Sequence, residues 1–228
     1  RTSPEIFHKQ LLAVGHEKIF EVGKCFRRGE QGPLHHPEYT MLEWYRARAD
    51  YMDVLEDTRE LISRVWPQGP KDWIVKTVSE TFLEFAGWDP VDHYDADRFD
   101  FDLVEKVEPA IEKLAGGVVL IDYPVEAAAL SRRKPDNPSV AERWELYIDG
   151  IELANAYSEL IDPIEQRRRF ELCAEQRRLM GKETYPLDEC FIQSLGSMPP
   201  SGGVALGVDR LLMLILGASS LDQVLPFR

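Results

Sequence analysis

The sequence predicts an α+β domain, in which a mostly antiparallel β-sheet is flanked by helices. Two stretches, residues 18–26 and 39–45, show the two-residue period of half-buried β-strands. Asp149 and Gly150 stand between two further alternating runs, which is a strong signal for a β-hairpin. Residues 50–66 place apolar side chains at helical spacing. Hairpins combined with amphipathic helices of this kind favour the α+β class.

The other elements follow in chain order. Pro4 and Glu5 suit the first turn of a helix that runs to residue 12. Residues 88–117 are acidic and predict a loop and then a helix broken at Pro109. A short apolar strand is predicted at residues 118–122 and a polar loop at 131–138. Further helices are predicted at residues 77–85, 162–180, 186–195 and 211–216.

Composition limits the class of protein. The chain of 228 residues is long enough for one domain with a sizeable core, so residues 1–228 are interpreted as a single domain. Its net charge of −13 argues against a broad nucleic-acid surface, because phosphate contacts supply most of that affinity. The sequence shows neither an apolar run of roughly 18 residues nor a signal-peptide pattern. The cysteines are scattered without metal-site spacing, which favours reduced thiols and a cytoplasmic setting: Cys25, Cys173 and Cys190.

The most informative stretch, residues 26–45, combines cations, a turn and a carboxylate. Arg27 and Arg28 carry guanidinium groups, which bind carboxylate or phosphate through two parallel hydrogen bonds. Three turn-forming residues follow: Gly29, Gly32 and Pro33. One face of the next strand carries Tyr39, Met41, Glu43 and Tyr45. This order suits a ligand that is anionic at one end and cationic at the other, although an ordinary hairpin with surface arginines has the same pattern.

A second stretch, residues 143–159, places two acids near each other on the predicted hairpin. With a two-residue turn, Tyr147 opposes Glu152, and Glu145 lies diagonal to Glu152 on the same face. Mg²⁺ is bound through one or two carboxylates plus substrate phosphates, so the pair suits a magnesium-nucleotide site. Two exposed acids on an outer sheet face are the alternative. Asn155 and Glu159 have the opposite parity to Glu152, so we predict a β-bulge that brings them to the same face.

A third stretch, residues 201–212, is rich in glycine and leads into Asp209 and Arg210 at the start of an apolar helix. A helix N-terminus with an arginine in its first turn is suited to phosphate. Glycine-rich stretches alone are weak evidence.

These three stretches together resemble the lysine branch of the class II aminoacyl-tRNA synthetases. Residues 26–45 resemble motif 2, whose pattern is F-R-x-E, a loop, and H-N-P-E-F-T-M-x-E-x-Y. Within that branch, residues 37–45 differ only at Tyr39 from a paralogous group that attaches lysine to elongation factor P. The pattern E-L-x-N-x-x-x-E-L is matched from Glu152 to Leu160, and residues 205–210 resemble motif 3, G-x-G-x-D-R.

The resemblance implies ATP-dependent activation of lysine or (R)-β-lysine, followed by transfer to a lysine of elongation factor P rather than to tRNA. It implies ATP contacts at Arg27, Arg28, Gly29, Glu30, His36, Tyr39, Glu145, Leu146, Gly207 and Arg210. It implies lysine contacts at Ser3, Pro4, Glu5, Glu43, Tyr45, Glu152, Asn155, Glu159 and Ala205. The implied metal ligands for Mg²⁺ are Glu145 and Glu152, and the implied catalytic residues are Arg27, Glu152 and Arg210.

Several departures from the family pattern accompany this resemblance. Gly29 occupies the place of the motif 2 glutamate, and His36 the place of an asparagine. Ala205 replaces the first glycine of motif 3, and one methyl group on a pocket wall shifts selectivity by roughly 1–3 kcal/mol. That methyl group disfavours α-lysine and leaves room for a repositioned amine.

The family pattern also sets expectations for the assembly. We expect a homodimer, with motif 1 upstream of residue 1, and we expect no anticodon-binding domain. Two other interpretations stay open. One is a catalytic fragment of a lysyl-tRNA synthetase, and the other is a non-catalytic paralogue that binds an amino acid and regulates a partner.

Overall fold

A computed structural model describes residues 1–226 and places eight strands in one sheet. The spatial order is β1-β2-β8-β7-β6-β4-β3, with the short β5 pairing with β6. Neighbouring strands are antiparallel except for β3 and β4, which confirms the predicted mostly antiparallel sheet. The strands are β1 Lys18–Phe26, β2 Glu38–Ala47, β3 Trp73–Thr77, β4 Gly117–Pro124, β5 Arg133–Lys134, β6 Asn137–Ile148, β7 Ile151–Ser158 and β8 Ser201–Gly207.

Helices cover both faces of this sheet. They are α1 Glu5–Ala13, α2 Tyr51–Val65, α3 Val78–Phe85, α4 Ala96–Asp102, α5 Glu108–Ile111, α6 Pro163–Leu179, α7 Glu189–Leu195 and α8 Val208–Leu216. Helix α2 is capped at its N-terminus by Asp50, whose side chain accepts hydrogen bonds from the N–H groups of Met52 and Asp53. None of the helices in residues 1–226 combines the length and the apolar composition that a membrane crossing requires.

The core leaves an opening on one face of the sheet. On the other face, α2 and α8 pack over the central strands around the fully buried Trp144. On the open face, α3, α4 and α5 cover the β3–β4 end with an apolar cluster around Phe82 and Tyr123. Near the opposite end, α1 and α7 pack around Tyr45 and Phe191. The strands between these two clusters, β2, β8, β7 and β6, therefore present their side chains to a cleft.

The hairpin of β6 and β7 contains the predicted bulge. Asp149 and Gly150 both have positive φ angles, 51° and 73°, as a tight two-residue turn requires. Tyr147 pairs with Glu152, but Leu146 pairs with Ala154, so the register shifts by one residue between them. This shift confirms the prediction and brings Glu152 and the later polar residues of β7 to one face of the sheet.

The structure differs from the predictions in three places. Strand β3 was not predicted, and β6 starts at Asn137, inside the stretch predicted to be a polar loop. The chain is also not broken at Pro109, which lies in the first turn of α5. A wider π-helical turn, Leu103–Val107, comes directly before α5. Because proline cannot donate a backbone hydrogen bond and crowds the preceding turn, the wider turn lets the helical path continue.

Candidate functional site

One cavity of about 390 Å³ lies in this cleft and collects most of the predicted site residues. Its floor is formed by β2, β8, β7 and β6, and the segment between β1 and β2 forms one wall. In the sheet, Asn155 and Glu43 both pair with Ala205, and Tyr157 and Tyr45 both pair with Gly203. The predicted residues that line the cavity are Ser3, Glu5, Arg27, Glu30, His36, Tyr39, Glu43, Tyr45, Glu145, Glu152, Asn155, Glu159, Ala205, Gly207 and Arg210.

Four residues of the predicted site lie outside the cavity lining. Leu146 is fully buried in the core on the opposite sheet face, because it follows Glu145 in the strand and successive side chains alternate. Pro4 is buried at the start of α1. Arg28 and Gly29 are exposed at the turn after β1, where Gly29 has a φ angle of 86°.

One end of the cavity is acidic and buried. Glu43 is 1% exposed, and its two oxygens accept hydrogen bonds from the hydroxyl groups of Ser3 (2.7 Å) and Tyr45 (3.1 Å). Glu5 accepts a hydrogen bond from the hydroxyl group of Tyr157 at 2.6 Å. Glu159 is also buried, and its Oε1 accepts no hydrogen bond from residues 1–226. Three carboxylates around one end of a cavity form a site for a cationic group.

The floor at this end requires Gly203. A Cβ atom built there would lie 2.3 Å from Glu159 Oε1 and 2.5 Å from Tyr45 Cε1. Any side chain at this position would therefore displace the carboxylate or the ring.

Burial changes the protonation of Glu43. Desolvation raises the pKa of this carboxyl to about 7, although the hydroxyl donors of Ser3 and Tyr45 oppose the shift. Because an ammonium ligand prefers the ionised carboxylate, binding weakens as the pH falls below this value. For lysine, the substrate that the sequence resemblance implies, we expect kcat/KM to rise about tenfold per pH unit below pH ~7 and to level off above it.

The substitution Glu43→Gln tests this pH dependence. We expect the variant to lose the acidic limb near pH 7, because the amide does not titrate. The measurement is ATP–pyrophosphate exchange, the reaction that the sequence resemblance implies, at limiting lysine from pH 5.5 to 9. Glu105→Gln, a change at an exposed acid, is the matched control and should retain the wild-type profile. An unchanged acidic limb in Glu43→Gln would contradict the assignment of this pKa.

The other end of the cavity carries two arginines. The guanidinium group of Arg27 lies over the ring of Tyr39, 5.3 Å from its centroid, and 3.7 Å from Glu30. Arg210 lies in the first turn of α8, as predicted. Its guanidinium group donates to the carbonyl oxygen of Glu152 at 2.7 Å and lies 3.0 Å from His35 Nε2. Anionic groups of a ligand would find bidentate donors here.

The two predicted magnesium ligands lie between these ends. Glu145 is held by neighbouring donors, since it accepts hydrogen bonds from the hydroxyl groups of Tyr123 (2.6 Å) and Tyr147 (2.7 Å) and pairs with Arg143. Glu152 lies 3.3 Å from Arg210. Burial and the negative charge of Glu145 raise the pKa of Glu152.

This donor set fits a magnesium ion bound together with a nucleotide. Such sites use one or two carboxylates, with phosphates and waters as the other ligands. Residues 1–226 contain no cluster of three or more side chains that would hold a metal by themselves. Glu108 is a third acid nearby, and burial together with the charges of Glu152 and Glu145 raises its pKa to about 7. Glu152 and Glu145 would therefore hold Mg²⁺ only with help from the substrate.

The sequence analysis missed several residues of the site. Arg143 was detectable, because it shares the strand parity of Glu145 and Tyr147. Tyr157 likewise shares the parity of Asn155. His35 and Lys9 had no such signal, since their positions depend on contacts across the fold. Lys9 is fully buried beneath the acidic end, where its ammonium group contacts Glu5 and Glu159.

The mostly antiparallel sheet, with an arginine on the segment after β1 and another at the start of α8, agrees with the class II synthetase fold that the sequence resemblance implies. The family model of the class II tRNA synthetases for D, K and N matches residues 1–228, and the chain belongs to this family.

Curated relatives divide between two activities. The lysine–tRNA ligases of Pelotomaculum thermopropionicum and Carboxydothermus hydrogenoformans are 37% and 36% identical and align with 100% of this chain, which covers 52% and 54% of their lengths. The elongation factor P–(R)-β-lysine ligase of Haemophilus influenzae is 36% identical over 99% of this chain and 76% of the relative. The chain thus spans about half the length of the lysine–tRNA ligases that it matches.

Proposed function

We propose that this protein activates lysine or (R)-β-lysine with ATP and transfers it to a lysine side chain of elongation factor P. The observation that carries the proposal is the opposite charge of the two ends of the cavity. Its closed end presents Glu5, Glu43 and Glu159, and its other end presents Arg27 and Arg210. An amino acid with a distal ammonium group fits the first end, and its carboxylate then points toward the phosphates of ATP at the second.

The proposed chemistry has two steps. An oxygen of the amino-acid carboxylate attacks the α-phosphorus of ATP, the bond to the β-phosphate breaks, and pyrophosphate leaves. The acceptor amine then attacks the carbonyl carbon of the adenylate, AMP leaves, and the new amide nitrogen loses a proton. Arg27 would stabilise the charge at the carboxylate and α-phosphate, Tyr39 would stack on adenine, and Arg210 would bind the γ-phosphate. Bound Mg²⁺ at Glu145 and Glu152 would neutralise phosphate charge.

Two features favour elongation factor P over tRNA as the acceptor. Ala205 places a methyl group between Glu43 and Asn155 on the cavity floor, which favours a repositioned amine. The net charge of −13 opposes the docking of a large RNA. Transfer to tRNA remains the second candidate, because lysine–tRNA ligases are as similar to this chain as the elongation factor P ligase.

Pyrophosphate exchange tests the proposal first. Purified protein is assayed with ATP and Mg²⁺ in the presence of α-lysine, (R)-β-lysine or no amino acid. We expect the strongest stimulation by (R)-β-lysine, followed by labelling of elongation factor P but not of tRNA. Exchange with α-lysine alone and labelling of tRNA would establish the second candidate. Lysine binding without exchange would support a non-catalytic paralogue instead.

We also propose a homodimer in a cytoplasmic setting. The setting is suggested by the three cysteines, which are unpaired thiols. Support for the dimer comes from β1, an edge strand of the sheet, which exposes three large apolar side chains on one face. Phe20 is 75% exposed, Val22 57% and Phe26 49%. Exposed apolar surface of this kind marks interaction sites, and a twofold contact would bury it twice.

The substitution Phe20→Asp tests the dimer. Because Phe20 is exposed, we expect the variant to fold normally. A charge in a twofold interface should weaken self-association at least about tenfold. Sedimentation equilibrium of the wild-type protein and the variant gives both masses. Lys113→Asp changes an exposed residue outside β1 and should leave the wild-type mass unchanged. A wild-type monomer at all concentrations would exclude the proposal.

A further inference from the structure

A cation that belongs to the chain lies directly beneath the acidic end of the cavity. Lys9 is 0% exposed, and its Nζ lies 2.6 Å from Glu5 Oε1 and 2.5 Å from Glu159 Oε2. The angles of these two contacts lie outside the range of a hydrogen bond, so the attraction between the ammonium group and the carboxylates is chiefly ionic. The same Nζ lies 5.3 Å from the centroid of the Tyr157 ring. Lysine is almost never fully buried unless it is paired, and here two carboxylates pair with it.

The helix and the sheet fix this ammonium group from two sides. Glu5 and Lys9 are four residues apart on α1 and therefore lie on the same face of the helix. Glu159 follows the last residue of β7, which crosses the cavity floor. Glu5 and Glu159 line the cavity, whereas Lys9 does not. The ammonium group thus lies beneath the floor and leaves the space above it open to a ligand.

Each paired carboxylate keeps one oxygen away from Lys9. On Glu5, both Lys9 and the hydroxyl group of Tyr157 contact Oε1, so Oε2 takes part in neither contact. On Glu159, Lys9 contacts Oε2, and Oε1 is buried without a hydrogen-bond donor from residues 1–226. A buried acceptor without a donor costs free energy, and a ligand ammonium would supply the missing donor.

The charges around the site show what Lys9 contributes. Burial opposes the charge on Lys9, but the carboxylates of Glu159 and Glu5 outweigh it and raise its pKa. Burial raises the pKa of Glu159, and the ammonium of Lys9 opposes that shift. The titratable groups packed around the site are Glu5 and His8 on α1, Glu21 on β1, Glu43 and Tyr45 on β2, and Tyr157 and Glu159 at the end of β7. Without Lys9, three carboxylates would face one ligand ammonium in a buried site.

We propose that Lys9 is a positioning residue that sets the selectivity of the cavity for a cationic amino acid. Its ammonium group contacts one oxygen of Glu5 and one oxygen of Glu159, and the other oxygen of each carboxylate stays available to the ligand. This inference rests on the proposed lysine-activating function. When Lys9 is made neutral, Glu159 loses the charge that opposes its protonation, both carboxylates lose the ammonium group that orients them, and the cavity loses its preference for an ammonium group over a neutral one.

The test compares Lys9→Met, Lys9→Arg and Lys9→Ala with the wild-type protein in pyrophosphate exchange. For Lys9→Met at pH 7.5 we expect KM for lysine to rise about 10- to 100-fold and KM for ATP to change less than about threefold, since charged hydrogen bonds are lost only at the amino-acid end. The acidic limb of the pH profile should move to higher pH. The ratio of kcat/KM for lysine to that for norleucine should fall by a similar factor.

Chemical rescue separates this role from a merely structural one. Lys9→Ala lacks three carbons and a nitrogen, which propylamine supplies as propylammonium. Added propylamine should lower the KM for lysine in Lys9→Ala and leave the wild-type protein and Lys113→Met unaffected. Lys9→Arg should retain most of the selectivity, because it retains the cation. Two results would overturn the proposal. One is a Lys9→Met variant whose pH profile equals that of the wild-type protein. The other is a folded Lys9→Ala variant whose KM for lysine does not change when propylamine is added.

A readout without catalysis keeps the two proposals separate. With ¹⁵N-labelled lysine, the wild-type protein should show one Nζ signal that is protected from solvent exchange and absent from Lys9→Met. If the wild-type protein catalyses no pyrophosphate exchange but this protected signal shifts when lysine is added, the proposed reaction fails and the positioning role stands. If the wild-type protein catalyses pyrophosphate exchange and Lys9→Met has the same KM for lysine at every pH, the positioning role fails and the reaction stands.

Discussion

Glu159→Gln lowers kcat/KM for lysine by about 10³-fold, because removing one partner of a buried charge pair costs about 2–5 kcal/mol. The side chain of Glu159 has no solvent exposure and contacts Lys9 directly. The amide keeps the volume of the carboxylate but removes the charge that faces the ligand ammonium. Lys9 is then left with a single carboxylate partner, Glu5. The expected loss therefore includes both a weaker ligand contact and a poorly compensated Lys9.

A control variant and two binding and stability measurements show whether the loss of activity in Glu159→Gln arises at the acidic end of the cavity. The isosteric change Glu105→Gln at an exposed position should leave kcat/KM within about twofold, as surface changes usually do. Thermal unfolding of Glu159→Gln shows whether the fold is retained, and titration calorimetry with ATP shows whether the nucleotide end is intact. If Glu159→Gln binds ATP normally and activates lysine at the wild-type rate, the acidic end is not the amino-acid pocket.

Arg27→Ala is expected to lower kcat for adenylate formation by about 10²–10³-fold, the usual cost of removing one donor to a developing anionic centre. Arg27 lines the cavity and stacks over Tyr39, and its side chain is 46% exposed, so it contributes little to the core. We therefore expect the loss to appear in kcat without a change in stability. Single-turnover formation of the adenylate measures this step directly.

The conservative variant Arg27→Lys shows which property of Arg27 matters. Lysine retains the charge but not the two parallel donors, so a loss close to that of alanine would indicate bidentate binding. Arg64→Ala removes an exposed arginine on α2 and should behave as the wild-type protein. A normal kcat in Arg27→Ala, with only a higher KM for ATP, would mean that Arg27 binds the ground state and does not stabilise the transition state.

Local patterns predicted much of the fold. The Asp149–Gly150 turn, the helix α2 and the bulge in β7 were all predicted from parity, periodicity and turn chemistry. Strand β3 was missed because its pairing with β4 is parallel and depends on a distant segment. The path through Pro109 was missed because a π-helical turn depends on the surrounding helices. Sequence patterns therefore predicted elements whose geometry is set by their own residues.

The sequence predicted the positions of some residues of the site but not of others. Residues with a strand parity, such as Glu43, Asn155 and Glu159, were placed on the correct face. Leu146 was assigned to the nucleotide site on family resemblance, although its parity opposes that of Glu145. Lys9 was missed, because helical spacing relates it only to Glu5, and its contact with Glu159 joins residues that are 150 positions apart in the chain. Buried ion pairs of this kind become visible only when the fold brings the two segments together.

The one-residue register shift in β7 also has an evolutionary consequence. Leu153 is the extra residue, lying between the positions that pair with Tyr147 and Leu146. A deletion there would turn Asn155 and Glu159 toward the core while Glu152 kept its place, whereas a substitution at Leu153 would change neither. Point mutations can therefore change the side chains of the amino-acid half and of the nucleotide half of the site separately. An insertion or deletion in β7 would instead change which residues of the two halves share a face. Relatives with altered substrates should differ in side chains along β7, while the length of the strand stays constant.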